Sequence, residues 1–519
     1  MPSWLRDAVF YEIYPQSFYD TNGDGIGDFH GIMQKLDYIK SLGCNALWIN
    51  PCFDSPFNDA GYDVRDYKMA APRYGTNEDL FQLFQEAHKR GIHVLLDLVP
   101  GHTSEEHEWF KKSSQAQKNV YSNRYIWTDF CFKPATGFPY IAGESDRNGA
   151  YLLNFFKCQP ALNYGFLSPK ESWQLPTDHP DCIAAREAMK DVMRFWLSHG
   201  CDGFRVDMAF SLVKNDDKDH SGTSAIWRDV RAMLDTDYPE AAMVSEWSDP
   251  NIALNAGFHM DFYLNSNNGY TTLMRDYDIE KEDKSYFKTD GSDISRFLAD
   301  YLPKYKKTKD IGYISFITGN HDTIRARYNL SVSELKLAYA FLLTMPGVPF
   351  IYYGDEIGMR YQDLPTKEGG YFRTGSRTPM QWNHDKNLGF SAADPNKLYL
   401  PVDGTEGAPT VADEQNDPDS LWNTVHKILM LRHKNPDLQA DGSFEVYETK
   451  DRLFAYRRGN FLLTVNPSKT ETNLSVPFAV KTEFELGSCS VAKDGIIVGP
   501  QSFCIFKPTA VNLSYTTNL

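Results

Sequence analysis

The stretch "CDGFRVDM", residues 201–208, begins small and polar, runs through Phe204 and Val206, and brings Arg205 and Asp207 to its far end. Its near-continuous apolar character predicts a strand buried on both faces, as in a parallel sheet. For this stretch alone, a structural ion pair explains the charged end as well as a functional site does. Other strands that end in the same way would favour a functional site.

The same pattern recurs along the chain. Seven further apolar runs end in polar residues and loops, and helix-like segments such as 78–91, 184–200 and 294–305 lie between them. Buried strands that alternate with helices are typical of a parallel sheet, and eight such units close into a (β/α)₈ TIM barrel. The seven runs are residues 8–15, 45–50, 92–102, 241–246, 260–264, 313–322 and 348–356.

Two segments interrupt this alternation. Residues 103–170, after the third strand, are rich in aromatic residues, Asn and Gly without a βα repeat, which predicts an inserted subdomain, domain B. Short alternating strands from about residue 442 predict a C-terminal antiparallel all-β domain, domain C, over 442–519. The barrel, domain A, is then expected to span 1–102 and 171–441.

The composition argues against several classes of partner. The 519 residues carry a net charge of −16, whereas nucleic acids and anionic membranes require a basic surface. The N-terminus lacks the apolar core of a secretory signal, and the longest apolar stretch, 337–353, is interrupted by prolines. The eight cysteines are scattered without a C-x-x-C pair, which predicts reduced thiols and no zinc site. We therefore expect a cytoplasmic monomer or weak homo-oligomer with no nucleic acid or membrane partner.

Polar residues collect at the predicted C-terminal ends of the strands, where parallel barrels carry their functional groups. Three of them are carboxylic acids on separate strands, and three such groups at one mouth are costly to keep ionised unless they take part in chemistry. Two opposed carboxyl groups suit cleavage of a glycosidic bond, since one attacks the anomeric carbon while the other protonates the leaving oxygen. The residues at these positions are His102, Arg205, Asp207, Glu246, His321 and Asp322.

The neighbours of the two acids predict different roles for them. Arg205 lies on the same side of its strand as Asp207 and is expected to lower the pKa of that carboxyl, which stays ionised as the nucleophile. Glu246 follows the apolar "AAMV", an environment that raises the pKa of a general acid. His102 and His321 are expected to donate hydrogen bonds to sugar hydroxyls.

A second cluster, "DTNGDGIGD" (20–28), lies in the loop after the first strand and places oxygen ligands at alternate positions, as an EF-hand loop does. Gly31 stands where an EF-hand has its last glutamate and no long helix precedes the loop, so the motif is not an EF-hand, although its ligands suit Ca²⁺. An acidic glycine-rich turn without metal is the alternative. The predicted ligands of a structural Ca²⁺ are Asp20, Asn22, Asp24, the carbonyl of Ile26, and Asp28.

Eight short motifs, in this order, make the chain resemble glycoside hydrolase family 13, the α-amylase family, and most closely its oligo-1,6-glucosidase and α-glucosidase branch. The resemblance extends from "AVFYEIYPQSF" near the N-terminus to about residue 436. The motifs are "GYDVRDY" (61–67), "DLVPGH" (97–102), "QPALN" (159–163), "GFRVD" (203–207), "SEW" (245–247), "GNHD" (319–322), "YYGDE" (352–356) and "RTPMQW" (377–382).

This resemblance implies a retaining mechanism with Asp207 as nucleophile, Glu246 as general acid/base and Asp322 as the third carboxylate, which binds sugar hydroxyls. It also implies that the loop 20–28 is the calcium loop of this branch. The substrate-binding residues that it implies are Arg205, His102 and His321 around the attacked glucose, Tyr62 as an aromatic platform, and Asp59 with Arg377 as a pair that closes the pocket and makes the enzyme exo-acting.

The motifs depart from the family pattern at four places. Gly101 replaces an asparagine that binds the interdomain calcium ion of amylases, and Ala161 replaces an aspartate of this branch. Met208 follows the nucleophile where the branch has a smaller residue, and "SEW" replaces the usual Gly-Glu. These departures concern the preferred linkage and acceptor rather than the class of reaction.

Three functions are compatible with this sequence. The first is an exo-acting α-glucosidase that hydrolyses short α-glucoside oligosaccharides or disaccharides. The second is a glucosyl transferase or isomerase on the same site, which forms trehalose, a sucrose isomer or longer glucosides. The third is a non-catalytic sugar-binding scaffold, similar to the transporter heavy chains of this family. Those heavy chains have lost catalytic carboxylates and carry a membrane span, so the sequence favours an enzyme.

Overall fold

The computed structural model describes residues 1–264, 273–275, 284–492 and 495–509. Its central feature is a sheet of eight parallel strands, each at a position that the sequence pattern predicts. The end of the predicted domain C, 510–519, lies outside the described residues. The strands are β1 (Phe10–Ile13), β2 (Ala46–Ile49), β3 (His93–Leu98), β4 (Gly203–Val206), β5 (Ala242–Ser245), β6 (Met260–Phe262), β7 (Tyr313–Ser315) and β8 (Phe350–Tyr352).

The sheet closes into a barrel. Its strands follow one another in chain order, and β1 pairs with both β2 and β8 in parallel register. The last gap, between β7 and β8, is bridged just beyond β7, where Ile317 pairs with Phe350 and the Thr318 N–H donates to the Phe350 carbonyl at 3.0 Å. The predicted (β/α)₈ barrel is thus confirmed.

Aromatic side chains fill the barrel. The ring of Trp48 lies 5.2 Å from that of Phe262, which in turn lies 4.8 Å from Phe350, so rings from β2, β6 and β8 meet across the interior. All three side chains are buried. The barrel is therefore a packed core rather than a pore, and parallel barrels of this kind bind their ligands at the C-terminal ends of the strands.

The helices surround the barrel, and most of those described begin at a side-chain cap. Thr76 and Asp79 form a reciprocal capping box at one helix, and Ser331 and Glu334 form another. The α-helices are Phe29–Leu42, Asn77–Lys89, Glu108–Ser113, Pro180–Ser198, Ser221–Asp237, Pro250–Ala253, Ser295–Thr308, Val332–Thr344, Val411–Asn416 and Leu421–Lys434. No helix in the described part of the chain is long and apolar enough to cross a bilayer.

The remaining strands lie outside the barrel. Phe53–Asp54 pairs with Asp66–Ala70, and Tyr140–Ala142 pairs with Ala150–Leu152 within the predicted domain B. The C-terminal part forms two antiparallel sheets, as the sequence predicts, while the domain boundaries at 102, 170 and 441 remain predictions. The strands of these two sheets are Glu445–Lys450, Leu453–Arg458, Phe461–Asn466, Val480–Leu486 and Ser502–Pro508 in one, and Thr472–Ser475, Cys489–Ala492 and Gly495–Val498 in the other.

Candidate active site

A cavity of about 240 Å³ opens at the C-terminal ends of the barrel strands. Six of the nine side chains that the sequence assigned to catalysis or substrate binding line it, although they come from distant parts of the chain. The cavity is smaller than the usual pocket for a drug-sized ligand, which starts at roughly 300 Å³, and this size suits a single hexose ring. The lining residues are Asp59, Tyr62, His102, Phe155, Asp207, Met208, Phe210, Glu246, Asp322 and Arg373.

Arg205 holds the two principal carboxyl groups together. Its Nη1 lies 3.1 Å from Asp207 Oδ1, and its Nη2 lies 2.9 Å from Glu246 Oε2. Nη1 also contacts Asp97 Oδ1 at 2.9 Å, and the guanidinium is almost completely buried. Because one planar guanidinium binds both carboxyls, Asp207 and Glu246 lie close together at the same mouth. Such proximity favours the short carboxyl separation of retaining glycosidases over the wider one of inverting enzymes.

The pKa of Asp207 is shifted against the direction that the sequence predicts. Burial raises the pKa of Asp207 well above the usual value, and the neighbouring Glu246 carboxyl raises it further against the opposing charge of Arg205. The sequence predicts the opposite direction for Asp207, and this prediction is wrong because burial and the nearby carboxyl outweigh the charge of Arg205. Asp207 therefore keeps its proton to a higher pH than an ordinary aspartic acid.

Asp322, the third carboxyl, is bound by two arginines. Its Oδ1 accepts hydrogen bonds from Arg373 Nη1 at 2.8 Å and from Arg377 Nη2 at 2.9 Å. Burial alone would raise the pKa of Asp322, but His321 at 3.3 Å and these two guanidinium groups outweigh it and hold the pKa well below the usual range. Asp322 is therefore a permanent anion, suited to accept hydrogen bonds from hydroxyl groups.

Asp59 lines the cavity, and its cationic partner is Arg373. The distance between Asp59 Oδ1 and Arg373 Nη2 is 3.5 Å, while Asp59 Oδ2 accepts a hydrogen bond from Gln159 at 2.7 Å. Burial raises the pKa of Asp59 to about 6. The sequence pairs Asp59 with Arg377 instead, but Arg377 is buried and donates to the His321 carbonyl and to Asp322.

His321, predicted to contact the sugar, lies behind the cavity wall instead. Its Nε2 is 2.6 Å from the hydroxyl of Tyr62, and its Nδ1 is 2.9 Å from Glu12 and 3.0 Å from Asn50. The imidazole stacks on the Tyr62 ring at 5.3 Å, and burial holds its pKa well below the usual value. Like Arg205 and Arg377, His321 therefore holds the lining groups in place and does not line the cavity itself.

His102 does line the cavity, next to Tyr62. Its Nε2 is 3.2 Å from the Tyr62 carbonyl, and its Nδ1 is 3.2 Å from the side-chain amide of Asn154. Burial lowers the pKa of His102 to about 3, so the imidazole is neutral at physiological pH.

The sequence motifs do not assign three lining residues to the site. Arg373 lies four residues before Arg377, outside the "RTPMQW" motif, and Phe155 and Phe210 belong to aromatic-rich segments without a distinctive spacing. Both phenylalanines are exposed, and together with Met208 they give the mouth an apolar rim. Only the proximity of Arg373 to Asp59 and Asp322 identifies it as part of the site.

The predicted calcium loop is closed by its own hydrogen bonds. Asp20 accepts from the N–H groups of Asn22, Gly23 and Gly25 and from the Ser391 hydroxyl, which occupies all its lone pairs. The described residues include no group of three or more His, Cys, Asp or Glu side chains arranged as a metal site. The oxygen donors are of the kind that Ca²⁺ accepts, but the ion would have to replace a donor such as Ser391. Calcium binding therefore remains a prediction.

The chain is similar to proteins of known activity over most of its length. It is 33% identical to the trehalose synthase/amylase TreS of Mycolicibacterium smegmatis, with 88% of this chain and 80% of that protein covered. It is 32% identical to the oligo-1,6-glucosidase of Heyndrickxia coagulans, with 92% of this chain and 94% of that protein covered. The fold is also similar to a crystal structure of an isomaltulose synthase mutant from Erwinia rhapontici with its natural substrate sucrose. The TM-score is 0.80 at 26% identity, with 98% of this chain and 99% of that chain covered.

The family assignment follows from the barrel, the carboxyls at its mouth and a match to a family model. Residues 12–441 match the family Alpha-amylase, described as the alpha amylase catalytic domain. The resemblance to oligo-1,6-glucosidases is confirmed by the relatives above. The chain belongs to the α-amylase family of glycoside hydrolases.

Proposed function

We propose that this enzyme is a retaining, exo-acting α-glucosidase that hydrolyses short α-glucoside oligosaccharides or disaccharides. One observation carries the proposal: Arg205 binds both Asp207 and Glu246 at the mouth of a cavity with room for one sugar ring. This arrangement supplies a nucleophile and an acid on one glycosidic bond.

The reaction proceeds in two displacements at the anomeric carbon. In the first, Glu246 protonates the glycosidic oxygen as the bond between this oxygen and the carbon breaks, and an Asp207 oxygen bonds to the carbon. In the second, Glu246 takes a proton from water, the water oxygen bonds to the carbon, and the bond to Asp207 breaks. Asp322 remains ionised and binds sugar hydroxyls throughout.

The shape of the cavity supports attack at a chain end. Asp59, Arg373 and Asp322 form a charged cluster in the cavity wall, which would block the passage of a longer glucan chain. The exposed rings of Phe155 and Phe210 also line the cavity, where an aglycone or acceptor would stack. These features favour a non-reducing terminal glucose in the cavity.

A second candidate is glucosyl transfer or isomerisation on the same site. It is favoured by the similarity to the trehalose synthase/amylase and to the isomaltulose synthase structure. Both activities use the same covalent glucosyl-enzyme and differ only in the acceptor, which is water in hydrolysis and a sugar in transfer.

The proposal is tested with Asp207→Asn and a panel of maltose, isomaltose, sucrose, trehalose and panose, with the products identified. We expect the wild-type enzyme to release glucose, and Asp207→Asn to lose turnover by about 10⁴-fold or more while it keeps the fold. Asp235→Asn, which removes an exposed charge from an outer helix, is the matched control and should remain active. Turnover of Asp207→Asn at the wild-type rate would refute its role as nucleophile, and isomeric disaccharides as main products would favour transfer.

A further inference from the structure

Three side chains form a hydrogen-bonded chain that ends at the cavity. The ammonium of Lys214, in the loop after β4, donates to Asn154 Oδ1 at 2.8 Å and to the Ser211 carbonyl at 2.6 Å. The Asn154 amide nitrogen is 3.2 Å from His102 Nδ1, and His102 Nε2 is 3.2 Å from the Tyr62 carbonyl. We call Lys214, Asn154 and His102 the polar chain.

The chemistry of the two ends fixes the direction of every hydrogen bond between them. An ammonium group only donates and a carbonyl oxygen only accepts. Asn154 must therefore turn its oxygen towards Lys214 and its NH₂ group towards His102. The Tyr62 carbonyl requires a proton on His102 Nε2, and a neutral imidazole then has none left for Nδ1, which accepts from Asn154.

We propose that Lys214 and Asn154 are positioning residues that hold His102 as the tautomer with its proton on Nε2, the ring nitrogen that donates to the Tyr62 carbonyl. His102 and Tyr62 both line the cavity, whereas Asn154 contacts the other ring nitrogen. The imidazole is thereby fixed to the Tyr62 backbone in one orientation beside the bound glucose. This part of the inference rests on the proposed function, whereas the tautomer itself does not.

The packing around the polar chain admits the Asn154 side chain because residue 101 is glycine. A Cβ atom on residue 101 would lie 2.6 Å from the Asn154 amide nitrogen and 2.9 Å from the Ser211 hydroxyl. The Lys214 ammonium is bound by an amide and a carbonyl oxygen rather than by a carboxylate, and desolvation lowers the pKa of Lys214 to about 8. A half-buried amine held in this way orients the neutral amide of Asn154, which is the role that we assign to it.

The tautomer is measured directly by NMR on protein labelled with ¹⁵N-histidine, and the His102 signals are identified by their absence in His102→Gln. In the wild type, we expect Nε2 to carry a proton and Nδ1 to carry none. Asn154→Asp keeps the shape of the side chain but replaces the donor with an acceptor, so Nδ1 should become protonated. A wild-type Nδ1–H, or an Asn154→Asp variant whose Nδ1 stays unprotonated, would overturn the proposal.

Kinetics separate positioning from a merely structural role. We expect Asn154→Asp and Lys214→Met to lower kcat/KM for α-glucosides by about tenfold or more, with the melting temperature of Asn154→Asp close to that of the wild type. Lys214→Arg keeps a donor and should restore most of the activity. Lys190→Met, which removes a buried lysine on an outer helix, is the control and should leave both the tautomer and kcat/KM unchanged.

The two readouts also distinguish this inference from the proposed function. If the protein turns over no α-glucoside, the proposed function fails, but the NMR measurement still determines the tautomer. If Asn154→Asp moves the proton and kcat/KM does not change, the positioning role is refuted while the hydrolase remains.

Discussion

At the scale of the residue, the decisive feature is that one cation serves three carboxylates. Arg205 contacts Asp97, Asp207 and Glu246, so its single positive charge is shared among three contacts. Burial raises the pKa of Asp97 to about 6 and the pKa of Asp207 well above the usual value, although Arg205 opposes both shifts. The two aspartates therefore lose their protons at a higher pH than free carboxylic acids do.

The pH dependence of the reaction follows from the raised pKa of Asp207. Asp207 must be ionised to attack the anomeric carbon, so kcat/KM should fall on the acid side, at a higher pH than an ordinary aspartate would give. Glu246→Gln removes the acid, and we expect it to lower kcat/KM for oligosaccharides by about 10²- to 10⁴-fold. With an aryl α-glucoside whose leaving group needs no protonation, the loss in this variant should be much smaller. An equal loss with both substrates would contradict the assignment of Glu246 as the acid.

At the scale of the element, the short strands supply the site and the loops after them shape it. The four residues of β4 are all buried, and Asp207 follows them directly, so the strand fixes the direction of its carboxyl. The loop 20–28 after β1 is held by Asp20 and by Asp28, which also caps the helix Phe29–Leu42 through the Gly31 N–H. Hydrogen bonds thus anchor the loop at both ends without the help of an ion.

The calcium prediction is tested at this loop. Ca²⁺ would join Asp20, Asp24 and Asp28, so we expect a higher melting temperature in Ca²⁺ than in chelator for the wild type. The difference should disappear in Asp24→Ala, which removes one predicted ligand at an exposed position. It should persist in the exposed control Asp235→Asn. Equal melting temperatures of the wild type in Ca²⁺ and in chelator would mean that hydrogen bonds alone close the loop.

At the scale of the whole molecule, buried polar groups join elements that are distant in the chain. Arg432, on the last helix before the C-terminal sheets, donates to the carbonyls of Leu343, Met345 and Gly347 at the end of the helix Val332–Thr344. Such contacts satisfy carbonyl groups that the helix itself leaves without partners. Glu356 is another buried polar group of this kind, and its carboxyl joins β1 to the helix Phe29–Leu42.

Glu356 makes the stability of the fold depend on pH. It accepts hydrogen bonds from Tyr11 at 2.7 Å and Tyr38 at 2.6 Å, and burial raises its pKa to about 7. The folded protein therefore holds this proton more tightly than the unfolded chain, so the stabilisation is complete below the ordinary glutamate pKa and is lost as the pH rises through about 7.

Between pH 5 and 8, we expect the free energy of unfolding of the wild type to fall, relative to Glu356→Gln, by roughly 2 to 3 kcal/mol. Unfolding by denaturant at several pH values measures this difference, and other titrating groups cancel because both proteins contain them. Glu78→Gln, at an exposed position, should show no such difference. A constant gap between wild type and Glu356→Gln would contradict the raised pKa.

The sequence by itself determined the barrel strands, the C-terminal sheets and the family, because local sequence patterns indicate which strands are buried and which residues stand at their ends. It also determined which three carboxyls meet, because parallel strands bring their C-terminal ends to one mouth. Only the tertiary structure decided that Arg373 pairs with Asp59, that His321 lies behind Tyr62, and that burial raises the pKa of Asp207. These facts depend on the distances and burial of side chains far apart in the chain, and no local pattern encodes them.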